Sequence, residues 1–497
     1  MADAPTPILP QIRAIPAVGT DHATLLQALT DLRGGDADWH DARTWSLVYH
    51  VSDDHHAFLQ AAHAKFFAEN ALNPMAFKSL KRMEADVVRM SATLLNGDDN
   101  SVGTMTSGGT ESILMAVKTY RDHARKKRPW IRRPEIVVPR TVHVAFDKAG
   151  HYFGVKVRHA PVSDDFRADV KAMKKLINRN TILLVGSAPQ YPHGVVDPIE
   201  ELGALALKKG LPLHVDACVG GFLLPWIEKL GHPMPVFDFR VPGVTSMSAD
   251  LHKYGFTAKG ASVVLYRNMD LLKHQFYVTA GWPGGIYASP SMPGTRPGGP
   301  IAAAWAAMQS LGENGYLEQA QQAMQAARVL QDGVAKIAGL QVLGKPHATI
   351  VTLGSSDPAI DVYAVADQLE ARGWNIDRQQ DPPSLHCTVT SNHLKVMDAW
   401  LADLQAAVAY SRAHPEAAKS GQAAMYGMMA KIPFKGLVEH GVLQVMEGMY
   451  GPDGILPGGD APPQAGPLMG FAQKYGDRVL TWLGKLRPNR SRKGTAP

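Results

Sequence analysis

The spacing of apolar positions divides the chain into a helical beginning, a β-rich middle and a mixed end. Between residues 22 and 95, apolar side chains such as Leu80, Met83, Val87 and Val88 recur at helical spacing, which predicts helices. From about residue 100 to 315, short apolar runs alternate with helical stretches. Strands that alternate with helices predict an α/β domain with a mostly parallel sheet.

The middle region supplies the predicted sheet, and the end supplies a smaller domain. We predict strands at 135–139, 155–158, 181–186, 211–215 and 262–266, with helices at 112–126, 168–178 and 199–209. A long helix is expected after about residue 315, ending near Gly333 or Gly339. Apolar runs at 348–353 and 385–390 then alternate with helices at 362–372 and 395–411, which predicts a smaller α+β domain. The predicted divisions are 1–95 (arm and helices), 96–315 (α/β domain), 316–415 (α+β domain) and 416–497 (extension).

Composition narrows the class of protein. The 497 residues are 45% hydrophobic and 19% charged, which excludes a disordered or fibrous chain. The net charge of +6 is too small for a dedicated nucleic-acid binder. Two cysteines, Cys218 and Cys387, support neither a disulfide framework nor a zinc site, and they fit a reducing cytosol. The N-terminus has no signal-peptide pattern, and no uncharged run is long enough to span a membrane, so we expect a soluble cytoplasmic protein.

A glycine-containing segment opens the first helix of the α/β region. Ser107, Gly108, Gly109 and Thr110 follow Thr106 and precede the helical run. Glycines allow a tight turn, and a helix start presents free N–H groups, so the segment could cradle a phosphate. An ordinary helix cap explains the same residues equally well.

Two later features gain meaning only together. Asp216 follows a predicted strand, where it faces the ligand crevice of an α/β domain, although a turn or helix cap explains it alone. Lys253 stands in a polar cluster and could form a Schiff base with an aldehyde, although most lysines are simply solvated. A phosphate cradle, a strand-end acid and a reactive lysine, in this order, are what pyridoxal 5′-phosphate requires. Asp216 would protonate the pyridine nitrogen, and His143 could lie over the ring.

Longer segments resemble a known family. Around these residues the chain resembles the fold-type I pyridoxal-phosphate enzymes of the decarboxylase group, and most closely the sphingosine-1-phosphate lyase family. The resemblance runs from about Ser46 to about Gly427 and rests on specific segments. They are TSGGTESILMAVKTYRD from Thr106, APQYPHGVVDP from Ala188, LHVDACVGGFLLPW from Leu213, FDFRVPGVTSMSADLHKYGF from Phe237, GGIYASPSMPGTRPGG from Gly284 and LGENGY from Leu311.

The resemblance implies a retro-aldol cleavage that releases a long-chain aldehyde and phosphoethanolamine. It implies a homodimer whose active sites lie between the subunits. The implied catalytic residues are Lys253, Asp216, His143 and Tyr191. The implied cofactor-binding residues are Ser107, Gly108, Gly109, Thr110, His143, Asp216, His252, Lys253, Gly294 and Thr295, with Gly294, Thr295 and Arg296 reaching into the neighbouring site.

The resemblance also implies a pocket for a phosphate on the substrate. Tyr49, Asn70 and Lys259 match three family positions, and Arg296 is assigned to the same group. Asn73 departs from the pattern, because the family has a histidine there. A neutral amide binds phosphate less strongly than a charged imidazole, so we expect weaker phosphate binding.

Two basic stretches, 121–133 and 485–493, have a simple and a specific explanation. The first most simply ends a helix in solvent; the specific alternative is weak contact with an anionic membrane surface. The adjacent His55 and His56 lack metal spacing, and we predict no metal site.

An amino-acid decarboxylase on the same fold and a non-catalytic membrane-surface protein remain alternatives. Turnover of the cell's own lipid and action on a host's lipid, as a secreted effector, would look alike in the sequence.

Overall fold

The computed structural model describes residues 14–432 and 435–452. The first 13 residues of the predicted arm and the basic stretch 485–493 lie outside the described residues. The helices are α1 (His22–Leu32), α2 (Asp53–Ala64), α3 (Lys78–Leu94), α4 (Gly109–Lys127), α5 (Ala145–Phe153), α6 (Val170–Leu176), α7 (Ile199–Lys209), α8 (Leu224–Lys229), α9 (Met269–Leu272), α10 (Gly298–Ala335), α11 (Val362–Glu370), α12 (Met397–Ala413), α13 (Gly421–Lys431) and α14 (Lys435–Met449).

A seven-stranded sheet forms the centre of the larger part of the chain. Its strands, in the order β1-β7-β6-β5-β4-β2-β3, are β1 (Val102–Thr106), β2 (Glu135–Pro139), β3 (Lys156–Ala160), β4 (Thr181–Ser187), β5 (Leu213–Asp216), β6 (Val244–Ala249) and β7 (Ser262–Tyr266). Only β7 runs antiparallel to its neighbours. This confirms the fold-type I α/β architecture with a mostly parallel sheet. The strands that the sequence predicts, such as β2 and β7, read as continuous apolar runs because both faces of the sheet are buried.

The sequence missed two strands that carry the site. β1 (VGTMT) and β6 (VTSMSA) hold too many small and hydroxyl residues to read as apolar runs. Their polar groups are bound inside the core instead: the Ser246 hydroxyl, on β6, receives a hydrogen bond from Tyr120 at 2.8 Å. Tertiary partners thus make these strands stable where their hydrophobicity does not.

The long helix begins earlier than the sequence indicates. α10 starts at Gly298, not near residue 315, and it is interrupted at Gly312, whose φ of 55° and ψ of −174° are non-helical. The expected start was therefore wrong, because the alanine-rich stretch after Pro300 is helical and buried. Its end at Ala335 lies close to the predicted Gly333.

A four-stranded antiparallel sheet forms the smaller part. Its strands, in the order β10-β11-β13-β12, are β10 (Leu340–Val342), β11 (Ile350–Ser355), β12 (Asp377–Gln380) and β13 (Pro383–Thr388). A separate two-stranded hairpin consists of β8 (Tyr277–Trp282) and β9 (Gly285–Ser289). Trp45, Trp374 and Trp400 pack in its core. The segment before α2 is thereby fixed to this smaller sheet. Among the described residues, no helix is both long and apolar enough to cross a membrane.

Candidate active site

A cavity of about 520 Å³ lies where the parallel strands end. Since loops from the carboxyl ends of parallel strands share one sheet edge, residues far apart in sequence meet there. The fold brings most of the predicted site residues to its lining: Tyr49, Ser107, Gly108, Gly109, Thr110, His143, Tyr191, Asp216, His252, Lys253 and Lys259.

The glycine segment joins β1 to α4 and forms one wall. Gly108 is the N-cap of α4 and supplies no side-chain cap, so the first N–H groups of the helix keep their donor capacity. A Cβ at Gly109 would lie 2.7 Å from Asp250 Oδ2 and 2.8 Å from Cys218 Sγ. The segment therefore needs glycine where the backbone approaches the cavity.

Asp216 is the last residue of β5, and hydrogen bonds hold its carboxylate in place. Its Oδ1 accepts hydrogen bonds from the Cys218 N–H at 3.1 Å and the Ser248 hydroxyl at 3.4 Å. His214, two residues earlier, binds the same Ser248 hydroxyl, and burial lowers the pKa of His214 to about 4. The network fixes the Asp216 carboxylate. Because the His214 imidazole is neutral, it does not compete as a second cation for this carboxylate.

Lys253 pairs with a carboxylate that the sequence analysis did not single out. Its Nζ lies 2.8 Å from Asp250 Oδ2, and Asp250 is buried. Although burial disfavours the charged amine, the Asp250 carboxylate outweighs it and raises the pKa of Lys253 above its usual range. Asp250 Oδ1 has no hydrogen-bond partner among the described residues.

Lys259 and Tyr49 form a second polar group in the same cavity. The Lys259 ammonium lies 5.2 Å from the centre of the Tyr49 ring and donates to the Leu47 carbonyl. Loss of hydration, with Lys253 nearby, lowers the pKa of Lys259 to about 8. Burial raises the pKa of Tyr49 to about 12, so its hydroxyl stays neutral.

Two further predicted residues reach the cavity from loops. His143 follows β2 and is exposed, and its Nδ1 accepts from the Ala145 N–H at 3.2 Å. Tyr191 follows β4 and donates its hydroxyl to Asp377 at 2.9 Å. Burial, together with Asp377, raises the pKa of Tyr191 well above its usual range. Tyr191 is thus a neutral proton donor held by the smaller sheet.

Five predicted residues do not line the cavity of their own chain. They are Asn70, Asn73, Gly294, Thr295 and Arg296. Their two segments pack on each other, since the Ala71 N–H donates to the Arg296 carbonyl at 2.8 Å. The Arg296 guanidinium is buried and binds Glu84 at 2.6 Å, while the Asn73 side chain accepts from the Met75 N–H at 2.9 Å.

Sequence reasoning missed three acidic residues. Asp250 stands three positions before Lys253 in the same polar cluster, which was a usable signal. Glu111 binds the Ser107 N–H at 2.7 Å and the Met292 N–H at 2.9 Å, which ties the glycine segment to the chain after the hairpin. Asp377 had no local signal, because only the tertiary fold brings it to Tyr191.

The residues present fit pyridoxal 5′-phosphate. A Cβ at Gly108 would lie 3.2 Å from His252 Cε1, so glycine leaves room between the helix N-terminus and this imidazole. Burial lowers the pKa of His252 to about 4, which makes it a neutral hydrogen-bonding group. A fixed acid, a lysine amine and an open helix N-terminus in one cavity match the ring nitrogen, the aldehyde and the phosphate of that cofactor.

Comparison with known proteins agrees with this geometry. The family model described as the pyridoxal-dependent decarboxylase conserved domain matches residues 39–354. A rice protein named sphingosine-1-phosphate lyase is 44% identical over 440 residues, which cover 87% of this chain and 81% of the relative. The structure of a Burkholderia pseudomallei sphingosine-1-phosphate lyase has a TM-score of 0.78 at 39% identity and covers 82% of this chain and 95% of its own. A Lactobacillus brevis glutamate decarboxylase, at 20% identity and a TM-score of 0.72, shares the fold.

Proposed function

Because the chain belongs to the pyridoxal-dependent decarboxylase family, and within it to the sphingosine-1-phosphate lyases, we propose that it cleaves phosphorylated long-chain bases such as sphingosine-1-phosphate. The products are a long-chain aldehyde and phosphoethanolamine. In this cleavage the C3 hydroxyl loses its proton, the C2–C3 bond breaks, and C2 takes up a proton. The observation that carries the proposal is the second polar group, Lys259 with Tyr49, in the same cavity as Lys253.

The cofactor would be held by residues of several strand ends. The helix N-terminus at Gly108 and Gly109 and the His252 imidazole would bind the phosphate of pyridoxal 5′-phosphate, Asp216 the ring nitrogen and Lys253 the aldehyde. When bound, this cofactor supplies an electron sink for the pair released by the broken bond. Asp216 would keep the ring nitrogen protonated, and His143 would lie against the ring.

Lys259 and Tyr49 would bind the phosphate of the substrate. A cation and a neutral hydroxyl side by side suit a phosphate, since charge-assisted hydrogen bonds are about twice as strong as neutral ones. Tyr191, kept protonated by burial and by Asp377, would move a proton at the reacting carbons. A decarboxylase of amino acids has no use for a second phosphate pocket, which makes it the weaker alternative.

We propose that two chains form the complete site. The 11-residue helix α1 has no buried residue, and its leucines at 25, 26, 29 and 32 are exposed. On the hairpin, Val278, Trp282 and Ile286 are exposed, and the chain continues from there to Gly294, Thr295 and Arg296. A second copy that covers these apolar surfaces would bring Asn70, Asn73, Gly294 and Thr295 to its neighbour's cavity, whereas the Arg296 guanidinium stays paired with Glu84 of its own chain. Sedimentation of a monomer at micromolar concentration would contradict this.

A basic patch supports weak contact with anionic membranes, where a lipid substrate resides. The exposed Trp130 stands among five exposed cations, Arg125, Lys126, Lys127, Arg132 and Arg133. Cations attract anionic headgroups, and a tryptophan suits the interface. Co-sedimentation with vesicles rich in phosphatidylserine, lost in Trp130→Ala, tests the contact; equal sedimentation of both proteins would contradict it.

The test of the proposed function is aldehyde release from sphingosine-1-phosphate. Wild type should release aldehyde and phosphoethanolamine in equal amounts, and Lys253→Ala should release neither. Lys259→Ala is the matched control in the same cavity: it should keep the cofactor absorbance and lose affinity for the phosphorylated substrate. A wild-type protein that binds the cofactor, releases no aldehyde and instead releases carbon dioxide from an amino acid would replace the lyase with the decarboxylase.

A further inference from the structure

Two histidines and an aspartate meet outside the cavity described above. His40 and His50 lie on the segment before α2, and Asp53 is the first residue of α2. Asp53 Oδ1 lies 3.4 Å from His40 Nδ1 and 3.4 Å from His50 Nε2. All three possible ligand atoms lie within 4.8 Å of one another. Sequence spacing alone gave no such prediction, because the loop between residues 40 and 50 has to fold back.

The spacing of these atoms suits a metal ion. A tetrahedral zinc ion with ligands at about 2.0–2.1 Å separates neighbouring ligand atoms by about 3.4 Å. Two edges of the triangle already have this length. Imidazole nitrogen is a borderline ligand and carboxylate oxygen a hard one, and Zn²⁺ binds both. The stacking of Trp39 on His40, with ring centres 3.7 Å apart, restricts the His40 ring.

We propose that His40, His50 and Asp53 bind a divalent transition-metal ion, with Zn²⁺ as the best match and an open fourth position. Side-chain exposure of 48% for His40 and 84% for Asp53 leaves that position to solvent, whereas His50 is 10% exposed. One local feature opposes the ion: the Lys395 ammonium donates to the His40 carbonyl at 2.7 Å. The carboxylate of Asp53 offsets that charge.

The ion would connect the segment before α2 to the start of that helix. Tyr49 precedes His50 directly, and the Leu47 carbonyl accepts from Lys259. A second cavity, of about 460 Å³, is lined by His50 as well as by Tyr49 and Lys259. Metal binding would therefore hold the wall that carries the second polar group of the active site. The metal site itself does not depend on the proposed function.

The test is metal binding by the untagged, cofactor-loaded protein. After removal of metals with a chelator, Co²⁺ should bind one ion per chain and give the visible absorption of tetrahedral cobalt, and Zn²⁺ should displace it. His50→Ala and Asp53→Asn should each weaken Co²⁺ binding at least about tenfold, with the cofactor absorbance unchanged.

His56→Ala is the matched control. His56 lies beside the cluster, with ring centres 6.2 Å from His40, but its Nε2 contacts the Gln60 amide at 3.0 Å. This variant should bind Co²⁺ like wild type. No stoichiometric binding by wild type, or equal binding by His50→Ala and wild type, would overturn the proposal. A loss in His56→Ala without a loss in His40→Ala would overturn the ligand assignment.

Discussion

Two regions carry the predicted site residues: the cavity around Lys253, and the paired segments around Asn70 and Arg296, which lie outside that cavity. The cavity is assembled within one chain, from strand ends and loops of a single sheet edge. The paired segments pack on each other and leave their predicted site residues away from that cavity. Both regions carry residues that the family resemblance assigns to one active site.

If two chains form the complete site, as proposed, this difference separates the groups that one chain positions from those that the second copy would supply. One chain positions the groups that fit the cofactor: Asp216, Lys253 and the helix N-terminus at Gly108. The groups expected around the phosphates are divided, with Lys259 and Tyr49 in the cavity and Asn70 outside it. Cofactor binding should therefore depend mainly on one chain, and substrate affinity on the pair.

Loss of the Asp216 charge should have the largest effect. Asp216→Asn keeps an oxygen for Cys218 and Ser248 but cannot hold a proton on the ring nitrogen. We expect kcat to fall about 10²–10³-fold, the range for one preorganised electrostatic group, while the cofactor stays bound. Stopped-flow absorbance and steady-state kinetics check this. An unchanged kcat would mean that Asp216 does not meet the ring.

Removal of the Lys259 charge should act on substrate affinity. Lys259→Met should raise KM about 10- to 150-fold, equivalent to about 1.5–3 kcal/mol, with a small effect on kcat. Since the pKa of Lys259 is about 8, its charge disappears as pH rises through that value. The wild-type KM should therefore rise above pH 8, and the variant's KM should lack this rise. A parallel pH profile in both proteins would contradict the assignment.

The Tyr191–Asp377 hydrogen bond should have an intermediate effect. Asp377→Asn keeps a hydrogen-bond acceptor but removes the charge that, together with burial, raises the pKa of Tyr191. The pKa of Tyr191 should fall, so the alkaline decline of kcat should begin at lower pH. We expect about a fivefold loss of kcat near neutral pH, about 1 kcal/mol. An equal loss at every pH would indicate a merely structural role.

Placing at position 73 the histidine that the resemblance implies should have the smallest effect. Asn73→His adds a chargeable group in an exposed turn, and we expect KM to fall about two- to fivefold below pH 6.5. The fall should be absent for a substrate analogue without phosphate. An unchanged KM at every pH would show that residue 73 does not meet the phosphate.

The sequence predicts some elements of the large sheet accurately and misses others. The strands β2 and β7 and the helix α7 were predicted to the residue, because apolar runs and helical periodicity are local signals. β1 and β6 were missed because their hydroxyl groups are stabilised by partners distant in sequence, such as Tyr120 for Ser246.

The candidate site shows the same division. Gly108, Asp216 and Lys253 were recognisable from short motifs, and the fold brings them into one cavity. Asp377 lies 186 positions from Tyr191, so no local pattern joins them. The roles of Thr295 and Arg296 stay predictions, because their segment lies away from the cavity of its own chain.

The most direct test of a site composed by two chains is activity in mixed dimers. Lys253→Ala removes the reactive amine, and Thr295→Glu places a negative charge on an exposed residue that should face the neighbour's phosphates. Each variant alone should release almost no aldehyde from sphingosine-1-phosphate. Mixed in equal amounts, they should recover about a quarter of the wild-type activity, because half of the dimers then carry one intact site. Full activity of Thr295→Glu alone, or no recovery on mixing, would contradict the account.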